Sequence, residues 1–446
     1  MHAEQAYLFR HALLRDAAYQ LQLPGEKAQL HRLAFELIEQ LYGGPAPERP
    51  ALGSVEEPAP SPHATDAVAH ELAGHARSAL QIDGFDQGKM IVALKLYLQR
   101  AAEHAENHFQ FAEAQRHWVA LSELVQDCVK GEVLRRAGRA ASHVGKSGEA
   151  KGLFEQALTI HRRVGDRRFE GLALGNVAGV SNDVGNVEQA ERDYDEARHL
   201  LRQAGDRNGE GAALAGLASV YLNTARAEDA ERAYEQALTM FRESGSRVRE
   251  GSVLANMAIL YWQTARYDLA EQAYERALDI HRAVKNRRGE GVAIGNLAAL
   301  YQSTGRSERA EAACAQALAI SREVGDRRAE GVALGGLASL RQEAGRVEQA
   351  LQDFELALAI HREVGNRRFE GGLLCNYSVC LLAMRRPQDA RSSWRRGAQM
   401  IEELGDKFEL ERRTASMRKT CAKAGVPPFD EGAATDSVAI GGQPPS

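Results

Sequence analysis

Between Gly291 and Glu330 the apolar positions change phase once. Ile294, Leu297, Ala298 and Tyr301 recur at three- and four-residue steps, which is one face of a helix. Gly305 and Arg306 interrupt, and Ala310, Cys314, Ala317, Leu318 and Ile320 then form a second stripe. Gly325 follows as a C-terminal cap and Asp326 as the N-cap of the next helix. The pattern predicts two antiparallel helices joined by tight turns.

The same unit recurs every forty residues from 131 to 410 without an insertion or deletion. Gly171, Gly211, Gly251, Gly291, Gly331 and Gly371 form one ladder, each preceded by Glu. Ala150 to Ala390 forms a second, and Phe154, Tyr194, Tyr234, Tyr274, Cys314, Phe354 and Trp394 a third. The cap position reads Asp166, Asp206, Ser246, Asn286, Asp326, Asn366 and Asp406, all preferred N-cap types. The recurring Gly falls inside a helix, at a cost of about 1 kcal/mol relative to Ala, so a neighbouring helix is expected to approach closely there. Such an array buries its core between neighbours rather than around a pocket. The expectation is an all-α, right-handed α-solenoid that acts as a binding scaffold and not as an enzyme.

Around residues 131–410 the pattern weakens. Residues 66–130 read as degenerate helical repeats, with Leu98, Ala101, Ala102 and Ala105, then Ala114, Trp118 and Leu121, at the same offsets. Residues 43–65 carry six prolines and few apolar positions, and read as a flexible linker. Residues 1–42 hold two helical patterns, Ala6 to Gln22 and Gly25 to Leu41. Residues 411–425 read as a polar capping helix, and 426–446 as a disordered tail.

Composition narrows the class. A formal net charge of −5 and a pI near 6.3 argue against a nucleic-acid or anionic-membrane partner. Five irregularly spaced cysteines indicate neither a disulfide framework nor a zinc site. No signal peptide or stretch of 18 apolar residues is present, so a soluble, reducing, cytoplasmic setting is expected.

The candidate motifs for chemistry fail on spacing. Gly145-Lys146-Ser147 has Ala140 where a phosphate-binding loop needs Gly, and no strand pattern precedes it. In HELAGH, His70 and His75 are five apart, about 140° around a helix, so one face cannot present both to zinc. His104 and His108 have the right spacing but no evident third ligand, and His161, His281 and His361 read as helix-end packing residues. No catalytic, cofactor or metal residue is assigned.

The offsets Ala298, Tyr301, Ala310, Cys314 and Ala317, and Ala258, Tyr261, Ala270, Tyr274 and Ala277 before them, resemble the tetratricopeptide repeat. The usual period is about 34; forty resembles the longer variety of kinesin light chains, Pins-type polarity adaptors and bacterial signalling proteins. The segment from Tyr7 to Glu39 resembles the region just after the ATPase core in bacterial signal-transduction (STAND-type) ATPases, often linked to kinase or nucleotidyl-cyclase domains. The resemblance implies a sensing or scaffolding arm. The alternative is a regulatory C-terminal fragment of such an ATPase, kinase or cyclase.

The resemblance also implies a site. Asn176, Asn256, Asn296 and Asn376 occupy the first-helix position that faces the concave groove, where Asn bonds a bound peptide's backbone. Ile259, Trp262 and Gln302 would share that groove. Arg167-Arg168, Arg287-Arg288, Arg327-Arg328 and Arg367-Arg368 recur at one position. They would either pair with the recurring Glu and helix ends, or form a basic rim for an acidic partner. The expected partner is a protein or peptide, possibly acidic.

Overall fold

The computed structural model describes residues 23–50, 52, 61–80, 87–404 and 407–431. Among these there are nineteen α-helices, one 3-10 turn and no strand. First come α1 (Pro24–Leu41), the 3-10 turn (Ala64–Val68), α2 (Ala69–Ala79), α3 (Gln87–Asn107) and α4 (Phe111–Ser122). The pairs follow: α5 (Asp127–His143) with α6 (Ser147–Val164), α7 (Arg167–Asp183) with α8 (Val187–Gln203), and α9 (Arg207–Asn223) with α10 (Ala227–Glu243). Next are α11 (Arg247–Gln263) with α12 (Tyr267–Ala283), α13 (Arg287–Ser303) with α14 (Ser307–Val324), α15 (Arg327–Glu343) with α16 (Val347–Glu363), and α17 (Arg367–Ala383) with α18 (Pro387–Glu403). The last helix is α19 (Lys407–Ala424). The fourteen paired helices keep the forty-residue register; the pattern at Ala6 to Gln22 lies outside the described residues.

The chain divides into two compact units, residues 1–141 with 152–169, and residues 142–151 with 170–446. The first is built around Phe35, Leu72, Tyr97, Leu98 and Trp118. Here the linker expectation meets a correction. Ala46 is buried, the Pro47 carbonyl accepts from Arg100 at 2.7 Å, and Arg49 pairs with Glu103 at 2.9 Å. Arg100 is itself buried and pairs with Asp66 at 2.7 Å. The described parts of 43–65 are thus held by side chains rather than by secondary structure, which a search for periodicity misses.

In the second unit each helix packs on its sequence neighbours. The first helices of successive pairs also touch (α9 with α11, α11 with α13, α13 with α15, α15 with α17), whereas the second helices make no comparable contacts. The first helices therefore line the inner side of the curve. Shared clusters such as Tyr234, Leu254, Tyr274, Ile294 and Leu297 run from pair to pair.

The recurring glycines sit at close crossings, as their cost in a helix requires. A Cβ on Gly251 would lie 2.8 Å from His281 Cε1, and one on Gly291 2.9 Å from Ile320 Cγ2. His281 and His361 are buried in the space their facing glycines leave. Asp166, Asp206, Asn286 and Asp326 accept from the backbone N–H three residues on, at 3.1, 2.7, 3.0 and 3.0 Å. Ser246 and Asn366 make no such bond, and Asp406 lies outside the described residues. Gly325 takes the left-handed cap conformation at φ +73°, as expected. The tail differs from expectation over its described part: Phe429 is buried, its carbonyl accepting from Arg395 Nε at 3.0 Å.

Burial gives the fold a pH dependence. Burial pushes the His361 imidazole down to about 4, with Arg328 adding to it and Glu370 opposing. The unfolded chain takes up this proton near pH 6.5 and the folded protein only near pH 4. Stability should therefore fall as pH drops from about 6.5 towards 4 and level off below. Urea midpoints at pH 7 and pH 5 should show a smaller difference in His361→Gln than in the unaltered protein.

Candidate functional site

The inner face of the second unit is built from one stripe of each first helix. On α11 it holds Ser252, Asn256, Ile259 and Trp262, and on α13 Val292, Asn296, Ala299 and Gln302. Asn256, Ile259, Trp262, Asn296 and Gln302 are half-buried, while the residues between them enter the core. Val292 and Val332 lie open on this face, one turn inside the helix starts.

The four asparagines are not equivalent. Asn256 and Asn296 make no side-chain hydrogen bond among the described residues, so both amides remain available. Asn376 donates to Ser339 Oγ at 3.4 Å and accepts from Arg413 of α19. Asn176 is engaged within the protein as well. Gln302 donates to Glu343 at 2.8 Å. The available part of the stripe is therefore centred on α11 and α13. Arg413 gave no sequence signal, because its reach to Asn376 depends on how α19 stacks on α17.

A recurring tyrosine lies beneath this face. Tyr234 Oη and Ser219 Oγ are 2.9 Å apart. One repeat on, Ser219 is replaced by Ile259, and the buried Tyr274 hydroxyl has no partner among the described residues. Burial pushes the Tyr274 phenol well above its ordinary range. A buried orphan hydroxyl costs about 1–3 kcal/mol, whereas a formed bond contributes about 1. Tyr274→Phe should therefore raise stability by about 1 kcal/mol and Tyr234→Phe lower it by a similar amount, as read from urea melts.

The arginine pairs divide by position. In three of the four pairs the first arginine is bound to glutamates of its own array. Arg287 meets Glu290 and Glu323, both at 2.5 Å, and Arg327 meets Glu330 at 2.5 Å and Glu363 at 2.7 Å. Arg367 meets Glu403 at 2.6 Å. A second ladder joins Arg242, Arg282 and Arg322 to Glu250, Glu290 and Glu330, each at 2.9 Å. The glutamate before each of these ladder glycines is thus a buried carboxylate held by two half-exposed guanidiniums, which hold that of Glu290 below its ordinary range against burial. For these first arginines the pairing seen is internal.

The second arginines are disposed differently. Arg288 Nε donates to Asp326 at 2.9 Å, and Arg328 makes no hydrogen bond or ion pair among the described residues. Arg168 and Arg167 fall in the first unit, where Arg168 lies 5.0 Å over the Phe169 ring. A further ladder recurs at the turns. Arg226, Arg266 and Arg306 pair with Glu191, Glu231 and Glu271 at 2.8, 2.9 and 2.7 Å, over the rings of Tyr221, Tyr261 and Tyr301. Its forty-residue recurrence is visible in the sequence once looked for.

The other motifs lie apart from this face. Gly145 occupies the turn before α6 at φ +77°. His70 is exposed, and His75 instead faces His31, their Nδ1 atoms 2.8 Å apart. Among the described residues no three His, Cys, Asp or Glu side chains are grouped as metal ligands, and no helix is long and apolar enough to cross a membrane.

No curated protein matches the sequence. Among solved structures, a Rap protein complexed with Competence and Sporulation Factor is similar at 12% identity, over 85% of this chain and 99% of that one, with a TM-score of 0.56. Aspartyl phosphate phosphatase F from Bacillus subtilis matches at 14% identity over 77% and 91%, with a TM-score of 0.50. A signal transduction ATPase with numerous domains and a tetratricopeptide repeat sensor, from Pyrococcus horikoshii, matches at 14% identity over 75% and 56%, with a TM-score of 0.49. The family model described as tetratricopeptide repeat matches residues 169–243, 249–323 and 290–363. Over 169–363 the units thus match the tetratricopeptide repeat, and the forty-residue helix pairs stack as an α-solenoid.

Proposed function

We propose that the inner face of the second unit binds an extended peptide or protein segment, and that the chain serves as a sensing or scaffolding arm in signal transduction. The observation that carries this reading is the pair Asn256 and Asn296. They occupy one position of neighbouring repeats, half-buried, with amides that no described residue engages. An amide offers both a donor and an acceptor, which is what an extended backbone requires. Ile259 and Trp262 supply the apolar surface beside them, and Trp is a frequent anchor of binding energy. The similar Rap protein was solved complexed with Competence and Sporulation Factor, which supports a binding role for a solenoid of this kind. Signal transduction rests on the family resemblance.

The test begins with a display selection of random dodecapeptides on the immobilised protein. Selected peptides are then titrated by fluorescence anisotropy. Asn256→Ala with Asn296→Ala should weaken binding by on the order of tenfold or more, about one to two lost hydrogen bonds, while leaving the melting temperature nearly unchanged. Equal affinity in the double variant would remove these residues from the site.

A further inference from the structure

In the second unit, two turns that are far apart in sequence meet backbone to backbone. A Cβ on Gly145 would lie 2.8 Å from the carbonyl oxygen of Gly365, and a Cβ on Gly365 would lie 3.0 Å from that of Val144. Both residues have left-handed φ, +77° and +66°, and both are glycines. Gly145 belongs to the turn within the first repeat of the array. Gly365 belongs to the turn between the sixth and seventh repeats.

A second observation falls on the same edge. Asp183 ends α7, at the turn of the second repeat, and Arg328 and Arg368 open α15 and α17. Neither Asp183 nor Arg328 makes a hydrogen bond or ion pair among the described residues, and both side chains are exposed. Each is nevertheless partly desolvated by the protein around it. Burial pushes the Asp183 carboxyl up while Arg368 and Arg328 pull it down. Burial lowers Arg328, against Asp326 and Asp183, with Arg288 adding to the lowering. The three charges of Asp183, Arg328 and Arg368 therefore lie within electrostatic reach of one another.

We propose that this edge is a clasp, in which the turns at Gly145 and Asp183 dock on those at Gly365, Arg328 and Arg368 and close the array on itself. Stacking of successive repeats supplies most of the stability of a solenoid through nearest neighbours. A contact that spans five repeats is not needed for that stacking, and it is small, so it can open without unfolding a helix. The glycines allow the backbones to approach, and the opposite charges bias the closed state. Screening should loosen it, because attraction between exposed charges weakens as salt rises.

The test uses the full chain with Cys128, the exposed cysteine, replaced by Ser. Val144→Cys with Val364→Cys places thiols beside the two contacting glycines. A short bismaleimide should join them within one molecule, read as a shift in gel mobility. Asp183→Lys should slow the joining by about tenfold or more, since like charges then face one another. Asp183→Lys with Arg328→Glu and Arg368→Glu should restore it. Small-angle scattering of the chain without the new cysteines gives a second reading: Asp183→Lys, an exposed site that leaves helix content intact, should enlarge the radius of gyration. Absence of an intramolecular link in native buffer, a rate indifferent to the charge reversal, or equal radii would overturn the clasp. None of these readings uses a ligand, so they stand apart from the peptide-binding proposal.

Discussion

Gly397→Ala is expected to destabilise the protein by roughly 1–3 kcal/mol, although alanine is the better helix former. Gly397 lies inside α18, where it crosses α17. A Cβ there would stand 2.6 Å from the Gly371 carbonyl oxygen, 2.9 Å from Cys375 Sγ and 3.0 Å from Leu374 Cβ. From the other side, a Cβ on Gly371 would stand 3.2 Å from the Gly397 carbonyl oxygen. The first obstacle is backbone, which cannot swing aside as a side chain can. The helices would have to separate, and the packing of Trp394, Ala398 and Ile401 would go with them. Propensity alone gives the opposite sign, a gain of up to about 1 kcal/mol. Urea melts followed by helical circular dichroism decide between the two, and a stabilised variant would mean that the crossing is looser than described.

The second large effect concerns the buried carboxylates. Glu290 is 5% exposed, and Arg282 and Arg287 bind its two oxygens at 2.9 and 2.5 Å. Arg282→Ala with Arg287→Ala leaves that carboxylate buried without a cation. Stranding a buried charge costs about 3–5 kcal/mol. Glu290→Gln should cost less, because the freed guanidiniums are about half exposed and return to water. The damage is thus asymmetric, larger when the arginines are removed than when the glutamate is. Denaturation midpoints of the three proteins at pH 7 give the order. The Glu290 carboxyl is held below its ordinary value, so the stability this group contributes is present above about pH 4.5 and is lost as pH falls through its lower folded value. A double-arginine variant milder than Glu290→Gln would contradict this picture of the site.

Much of this architecture was legible before the structure, because it is local and repeated. The period set the helix pairs, Gly325 and Asp326 marked a turn, and a glycine inside a helix announced a close crossing. The internal pairing of the arginines was legible too, since Arg287 and Glu290 are three apart on one helix face. What the sequence hid depends on curvature. Arg413 reaches Asn376 only because α19 stacks on α17, which leaves Asn256 and Asn296 as the available pair. Gly145 meets Gly365 for a similar reason. The proline-rich stretch misled for a different one. Composition gives 43–65 no helical period, but Arg49, Arg100 and the Pro47 carbonyl hold its described parts by side-chain bonds that carry no period either.

The central claim is that a peptide lies along the inner stripe of the first helices. Hydrogen exchange, with and without a peptide selected on the protein, tests it most directly. Added protection is expected in α11 and α13, around Asn256 and Asn296, and none confined to the second helices α10, α12 and α14. Protection on the second helices alone, or unchanged exchange along α11 and α13 at saturating peptide, would contradict it.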